Sequence, residues 1–220
     1  MASETVIPTR VKICGLSNEA TLAAALEAGA DWIGLVHFPR SPRHVALDRA
    51  AALSARARGR AERVILLVDP DDALAAAAVA AVDPDLIQLH GGESPDRVAA
   101  IRALTGRPVM KALGIATRAD LAAVSAYAAV ADRILLDAKA PPDSILPGGN
   151  GLRFDWAILA DAALPPGTML SGGLDAGNVA EALARTRVGA VDVSSGVESA
   201  PGAKDPDKIA AFVAAARAAR

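Results

Sequence analysis

The sequence predicts an α/β protein whose eight parallel strands close into a (β/α)₈ barrel. Two observations predict it. Short β-branched segments alternate strictly with longer alanine-rich segments, and this alternation repeats eight times within 220 residues. Strict alternation favours a parallel sheet, and eight units in about 200 residues match the small end of closed barrels. An open, doubly wound sheet is the alternative, although it seldom repeats so evenly.

The strand candidates are apolar runs of six or seven residues. They are 10–15, 32–37, 63–69, 86–91, 108–114, 133–138, 168–173 and 190–196. The helix candidates between them begin at capping residues or early prolines, and several end at glycine. They are 18–30, 47–59, 70–82, 94–106, 117–130, 154–164, 176–189 and 205–219. No linker interrupts the pattern, so we expect one TIM barrel domain over residues 1–220.

Composition excludes several classes of protein. Hydrophobic residues make up 52% and aromatic residues 3%, so alanine, valine, leucine and isoleucine must build the core. A net charge of −2 gives no basic stripe for nucleic acid. A single cysteine excludes an internal disulfide. The first fifteen residues lack the apolar core of a signal peptide, and no run is long enough to span a membrane. We therefore expect a cytoplasmic protein.

Catalytic groups of such barrels lie at the carboxyl ends of the strands. Cys14 ends the first strand, and Lys12 shares its face because side chains alternate along a strand. A thiolate is a base or nucleophile if its pKa is lowered, and Lys12 would help to lower it. The alternative is that Cys14 is a small buried hydrophobic residue.

Asp137 ends the sixth strand. A carboxyl group in an apolar barrel mouth tends to a raised pKa and suits a general acid. A helix cap or an ion pair with Lys139 is the alternative. His90 ends the fourth strand as either a proton carrier or a hydrogen-bonded structural residue. No residues show metal-ligand spacing, so no metal is predicted.

Three loops suggest a ligand. Glycine-rich segments follow strands seven and eight, at 171–174 and 194–198, where barrels often bind phosphate through backbone N–H groups. Tight turns are the alternative. The irregular loop 138–153 suggests a lid or a surface insertion. In the segment 39–45, Arg43 either clamps a carboxylate with a bidentate fork or is a solvated loop residue.

Seven segments together resemble one family. They are KICGL at 12–16, FPRSPRHV at 38–45, QLHG at 88–91, LLDA at 135–138, GGNGLRFDW at 148–156, SGGL at 171–174 and VDVSSGVESAPGAKD at 191–205. In this order, over nearly the whole chain, they resemble the phosphoribosylanthranilate isomerases of tryptophan biosynthesis. The resemblance implies a (β/α)₈ barrel that performs an Amadori rearrangement without a cofactor.

The resemblance also implies roles for particular residues. Cys14 would be the general base and Asp137 the general acid. Arg43 would bind the anthranilate carboxylate, with His90 in the same pocket. The phosphate would be bound by the two glycine-rich segments, at Gly172, Gly173, Ser195 and Gly196.

The implied partner is a phosphorylated small molecule, and the implied assembly is a monomer or a homodimer. Two other functions stay open: another sugar-phosphate isomerase, and a barrel that binds a phosphorylated ligand without chemistry.

Overall fold

Eight parallel strands form a closed barrel in the computed structural model, which describes residues 8–141, 143–144 and 146–219. Each strand pairs with the next, and β1 pairs with β8, so the predicted barrel is confirmed. The strands are β1 Arg10–Cys14, β2 Trp32–Val36, β3 Glu62–Leu67, β4 Leu86–Leu89, β5 Val109–Ile115, β6 Arg133–Ala138, β7 Met169–Leu170 and β8 Ala190–Val193. A short hairpin, β9 Glu198–Ala200 with β10 Ala203–Lys204, follows the barrel.

Helices surround the barrel. They are α1 Glu19–Glu27, α2 Leu47–Ala57, α3 Asp72–Val82, α4 Pro95–Thr105, α5 Val124–Ala128, α6 Val179–Thr186 and α7 Pro206–Ala218. Local sequence sets their ends: Asn18 and Ser94 accept hydrogen bonds from the first turns of α1 and α4, and Gly106 ends α4 in the left-handed region. No helix in the described part of the chain has the length and apolar character needed to cross a membrane.

Two predicted helices differ in the structure. The segment 117–130 begins as a 3-10 helix, Arg118–Ala123, and only its end is α-helical. The segment 154–164 forms a single 3-10 turn, Trp156–Leu159, so the prediction of a helix there was wrong. That one turn already buries Trp156 and Leu159.

The barrel interior is apolar at one end and polar at the other. An apolar layer fills the lower interior, formed by Trp32, Val64, Leu86, Met110, Ala112, Leu135, Met169 and Ala190. The guanidinium of Arg10 lies 3.6 Å from the centre of the Trp32 ring and covers it. The buried polar side chains of Gln88, Ser171 and Asp192 lie toward the carboxyl ends of the strands. The packing therefore provides polar groups for a site at that end.

Candidate active site

A cavity opens at the carboxyl ends of the strands. Cys14, Arg43, His90 and Asp137 all line it, so the structure brings the four predicted side chains together. One wall is apolar and is formed by Val36, Phe38, Leu66 and Val68. The opposite wall comes from strands β6 to β8 and the loops that follow them.

Cys14 lies at the end of β1, with 4% of its surface exposed. Burial raises the pKa of the Cys14 thiol, and the nearby Lys12 ammonium offsets this only in part. The predicted influence of Lys12 is present, because its ammonium favours the thiolate, but it does not bring the pKa of Cys14 below its ordinary value. Desolvation, which the sequence pattern did not include, is the larger effect.

Lys12 is held by Asp192. Its Nζ donates to Asp192 Oδ1 across 2.9 Å, and both side chains are buried. Burial opposes the charge on Lys12, but the Asp192 carboxylate outweighs it and leaves the pKa of Lys12 above its ordinary value. The ammonium below Cys14 is therefore a fixed positive charge. The hydroxyl of Ser171 donates to the other oxygen of Asp192, Oδ2, at 3.3 Å.

Asp137 lies across the cavity mouth at the end of β6 and is 4% exposed. Its Oδ2 is 3.3 Å from His90 Nε2, and its Oδ1 accepts from the backbone N–H of Ala138 at 2.8 Å. Gln88 Nε2 lies 3.2 Å from His90 Nδ1. With the amide donating to Nδ1, the ring proton sits on Nε2 and faces Asp137. His90 thus connects a buried carboxyl group to a fixed amide.

The alternative ion pair between Asp137 and Lys139 does not form. Lys139 Nζ donates to Asp120 Oδ1 at 2.7 Å and lies on the exposed side of the loop. Asp137 instead faces the cavity, as the alternation with Leu135 along β6 predicts.

Arg43 is buried and its guanidinium is already paired. Nε donates to Glu198 Oε1 at 2.7 Å, and Nη2 donates to Glu198 Oε2 at 2.9 Å. Nη2 also donates to the carbonyl oxygen of Gly149 at 3.2 Å. The solvated alternative for Arg43 is therefore wrong, and one edge of its fork is occupied by the protein itself.

The two glycine-rich segments lie side by side at the cavity. Gly172 and Gly173 have φ of 92° and 60°, which only glycine adopts without strain. Gly172, Gly173 and Ser195 line the cavity. Gly196 lies behind the wall, where a Cβ would overlap the carbonyl of Leu174. The close packing of the neighbouring backbone therefore requires glycine at position 196, whether or not a ligand binds.

The loop predicted as a lid covers the site. Residues 146–152 line the cavity, while positions 142 and 145 of the predicted loop lie outside the described residues. A Cβ at Gly148 would overlap the Asp137 carboxylate and stand 2.6 Å from His90 Nε2. A Cβ at Gly149 would stand 2.6 Å from Arg43 Nη1. The loop therefore packs directly on the predicted acid and on the predicted carboxylate-binding residue.

Sequence reasoning missed the roles of Glu198 and Lys204. Both are buried, and Lys204 Nζ donates to Glu198 Oε1 at 2.7 Å. Glu198 was visible within the segment 191–205, but its partner Arg43 is 155 residues away. A single glutamate in an otherwise small-residue segment was the available signal.

Comparison with known proteins decides the family. The protein-family model for N-(5'-phosphoribosyl)anthranilate (PRA) isomerase matches residues 11–215 of this chain. The chain belongs to this family. The resemblance found in the sequence motifs is thus confirmed over nearly the whole chain.

Relatives in this family are similar along their full length. The N-(5'-phosphoribosyl)anthranilate isomerase of Azorhizobium caulinodans is 68% identical over 209 residues, which cover 95% of this chain and 92% of that protein. The enzyme of that name from Rhodopseudomonas palustris strain BisA53 is 61% identical over 212 residues, covering 96% and 97%.

Solved structures of the family share the fold. Phosphoribosyl anthranilate isomerase from Thermotoga maritima is 34% identical, with a TM-score of 0.85 over 94% of this chain and 98% of that chain. A second structure of such an isomerase, in complex with reduced 1-(o-carboxyphenylamino)-1-deoxyribulose 5-phosphate, is 32% identical, with a TM-score of 0.81 over the same shares.

Proposed function

We propose that this protein isomerises N-(5'-phosphoribosyl)anthranilate to 1-(2-carboxyphenylamino)-1-deoxyribulose 5-phosphate, a step of tryptophan biosynthesis, by general acid–base catalysis. Family membership over residues 11–215 supports the activity. The observation that carries the mechanism is that Cys14 and Asp137 line one cavity, on β1 and β6 of the same barrel mouth. An acid and a base on two sides of one substrate serve the two proton transfers of this rearrangement.

Asp137 acts first as the general acid. In its protonated form it gives a proton to the ring oxygen of the ribose, and the bond from C1′ to that oxygen breaks. The nitrogen lone pair forms a double bond to C1′, which leaves a cationic Schiff base and an Asp137 carboxylate. His90, with its Nε2 at 3.3 Å, stabilises that carboxylate by a hydrogen bond.

Cys14 acts second as the general base. The cationic Schiff base makes the C2′ proton acidic, and its positive charge joins Lys12 in favouring the thiolate. The thiolate removes the C2′ proton, and the electron pair of that bond forms an enolamine that neutralises the nitrogen. The enolamine then gains a proton at C1′ and loses the hydroxyl proton at C2′, which gives the ketone.

The cavity offers matching partners for both ends of the substrate. The apolar wall of Val36, Phe38 and Leu66 lies beside Arg43, which suits an aromatic ring that carries a carboxylate. We assign the phosphate to Gly172, Gly173, Ser195 and Gly196, where backbone N–H groups can approach an anion closely.

The partner of the protein is thus a phosphorylated small molecule. One solved structure is of monomers generated from the dimeric phosphoribosylanthranilate isomerase of Thermotoga maritima. We propose a monomer or a homodimer for this chain. We also propose the cytoplasm as its location, since a proton-transferring thiol must stay reduced.

A turnover assay tests the proposal. Phosphoribosylanthranilate is generated in place from anthranilate and phosphoribosyl pyrophosphate, and its fluorescence is followed after addition of the protein. Fast decay is expected for the unaltered chain. Cys14→Ala and Asp137→Asn should each lower kcat by about 10²- to 10⁴-fold, while the far-ultraviolet circular dichroism of both stays the same.

Other outcomes identify the alternatives. Normal turnover in either variant would contradict its assigned role. A chain that binds the reduced product analogue but never consumes substrate would be a binding protein. A chain that consumes a different phosphorylated sugar would be another isomerase.

A further inference from the structure

Three buried ionised groups form one cluster beside the cavity. The carboxylate of Glu198 lies between the guanidinium of Arg43 and the ammonium of Lys204, at 2.7 Å from each. The side chains of all three are at most 6% exposed. Lys204 Nζ also donates to the carbonyl oxygen and to the hydroxyl of Ser194, at 2.9 and 3.1 Å. Its three acceptors match the three protons of an ammonium group.

The Arg43 guanidinium is the part of the cluster that faces the cavity. Hydrogen bonds from Arg43 and the charge of Lys204 outweigh burial to keep the pKa of Glu198 below its ordinary value. Burial lowers the pKa of Lys204, and the Glu198 carboxylate offsets this only in part. Of the three residues only Arg43 lines the cavity. The permanently charged guanidinium is therefore the cation presented to whatever fills the cavity, and its natural partner is an anion.

The geometry fixes which part of Arg43 meets that anion. The Glu198 carboxylate accepts hydrogen bonds from Nε and Nη2 of the guanidinium. Among the described residues, no hydrogen bond involves Nη1. That nitrogen lies beside Gly149, where any Cβ would stand only 2.6 Å from it. Since the guanidinium is planar, two bonds to Glu198 also set the direction in which Nη1 points.

We propose that Glu198 is a positioning residue: it holds the Arg43 guanidinium so that Nη1 donates to the aromatic carboxylate of the substrate. This inference rests on the proposed role of Arg43 and adds a residue that touches no substrate. Lys204 supports the arrangement from behind by binding the same carboxylate. Without Glu198 the guanidinium would have rotational freedom, and carboxylate binding would have to fix it at an entropic cost.

Binding of two ligands distinguishes a positioning role of Glu198 from a general loss of structure. One is the reduced product analogue, 1-(o-carboxyphenylamino)-1-deoxyribulose 5-phosphate in reduced form. The other is its phenylamino counterpart without the carboxylate. Their affinities are measured by calorimetry, and the ratio of the two dissociation constants is the preference for the carboxylate.

Glu198→Gln should lower this preference by about 10-fold, as expected for loss of well-aligned charge-assisted hydrogen bonds. The affinity for the analogue without the carboxylate should be unchanged. Arg43→Met should abolish the preference, and Arg43→Met/Glu198→Gln should show no further loss. In turnover, Glu198→Gln should act mainly on KM. A loss of structure would instead weaken both ligands together.

Asp85→Asn is the matched control. Asp85 binds Arg63 through two hydrogen bonds of 2.8 and 2.7 Å, but it precedes β4 and lies at the opposite end of the barrel. The control should leave the preference intact. If Glu198→Gln does not fold, Glu198→Asp retains the charge, is one methylene shorter, and should lower the preference in the same way.

Two results would overturn the inference, and they differ. An unaltered preference in Glu198→Gln or Glu198→Asp, with the preference lost in Arg43→Met, would refute the positioning role alone. An unaltered preference in Arg43→Met would refute the proposed role of Arg43 and the inference with it.

Discussion

Replacing Lys12 by methionine should raise the pKa of Cys14. Lys12 and Cys14 share one face of β1, and the Lys12 ammonium favours the Cys14 thiolate. An opposite charge within about 4–6 Å typically moves a pKa by about one to three units. Protonation of the newly unpaired Asp192 would offset part of this rise.

The thiol titration has no interference from other cysteines, because the chain has one cysteine. Ultraviolet absorbance of the thiolate and the rate of alkylation, each followed against pH, therefore report on Cys14 alone. In turnover, the rising limb of kcat/KM that belongs to the base should move to higher pH by a similar amount. Activity lost near neutral pH should return in part under alkaline conditions.

Two further variants control the experiment. Lys111→Met removes another buried lysine, which pairs with Glu93 at 2.8 Å, and should leave the titration of Cys14 unchanged. Lys12→Met leaves the buried Asp192 without its partner, at a cost of about 3–5 kcal/mol in unfolding free energy. Lys12→Met/Asp192→Asn removes both charges and should return part of the pKa shift. An alkylation profile of Lys12→Met that matches the unaltered protein would refute the reasoning.

Two more predictions concern the loop that covers the cavity and the stability of the protein at acidic pH. Gly148→Ala should lower kcat/KM, because its Cβ would overlap the carboxylate of Asp137; steady-state kinetics should show no loss for Gly189→Ala, whose Cβ meets nothing within 4 Å. Hydrogen bonds from Lys139 and the local backbone hold the pKa of Asp120 well below its ordinary value. Its contribution to stability is therefore present above about pH 4 and is lost as the pH falls further. Acid unfolding followed by circular dichroism should lose part of its pH dependence in Asp120→Asn, and an unchanged profile would contradict this.

The barrel was predictable because its signal is local and repeated. Each strand is an apolar run, each helix has a cap, and strict alternation admits few topologies. Side-chain alternation also placed Cys14 and Asp137 at the cavity, since both end their strands and share a face with an interior residue. The region 154–164 was not predictable in this way, because an apolar segment can bury its side chains in one 3-10 turn as well as in a helix.

The electrostatics of the site depend on three-dimensional contacts. The pairing of Arg43 with Glu198 joins residues 155 positions apart, and no local pattern indicates it. The pKa of Cys14 is decided by burial against the charge of Lys12, and a sequence shows neither the depth of burial nor the distance. Residue types were thus predictable at the strand ends, while their partners were not.

The central claim is that the Cys14 thiolate breaks the bond from C2′ to hydrogen. Single-turnover kinetics with substrate deuterated at C2′ tests it most directly, because product release does not mask the chemical step. The account predicts a primary isotope effect in the unaltered protein and almost no product with Cys14→Ala. Rapid product formation by Cys14→Ala, with the same isotope effect, would show that another group removes the proton.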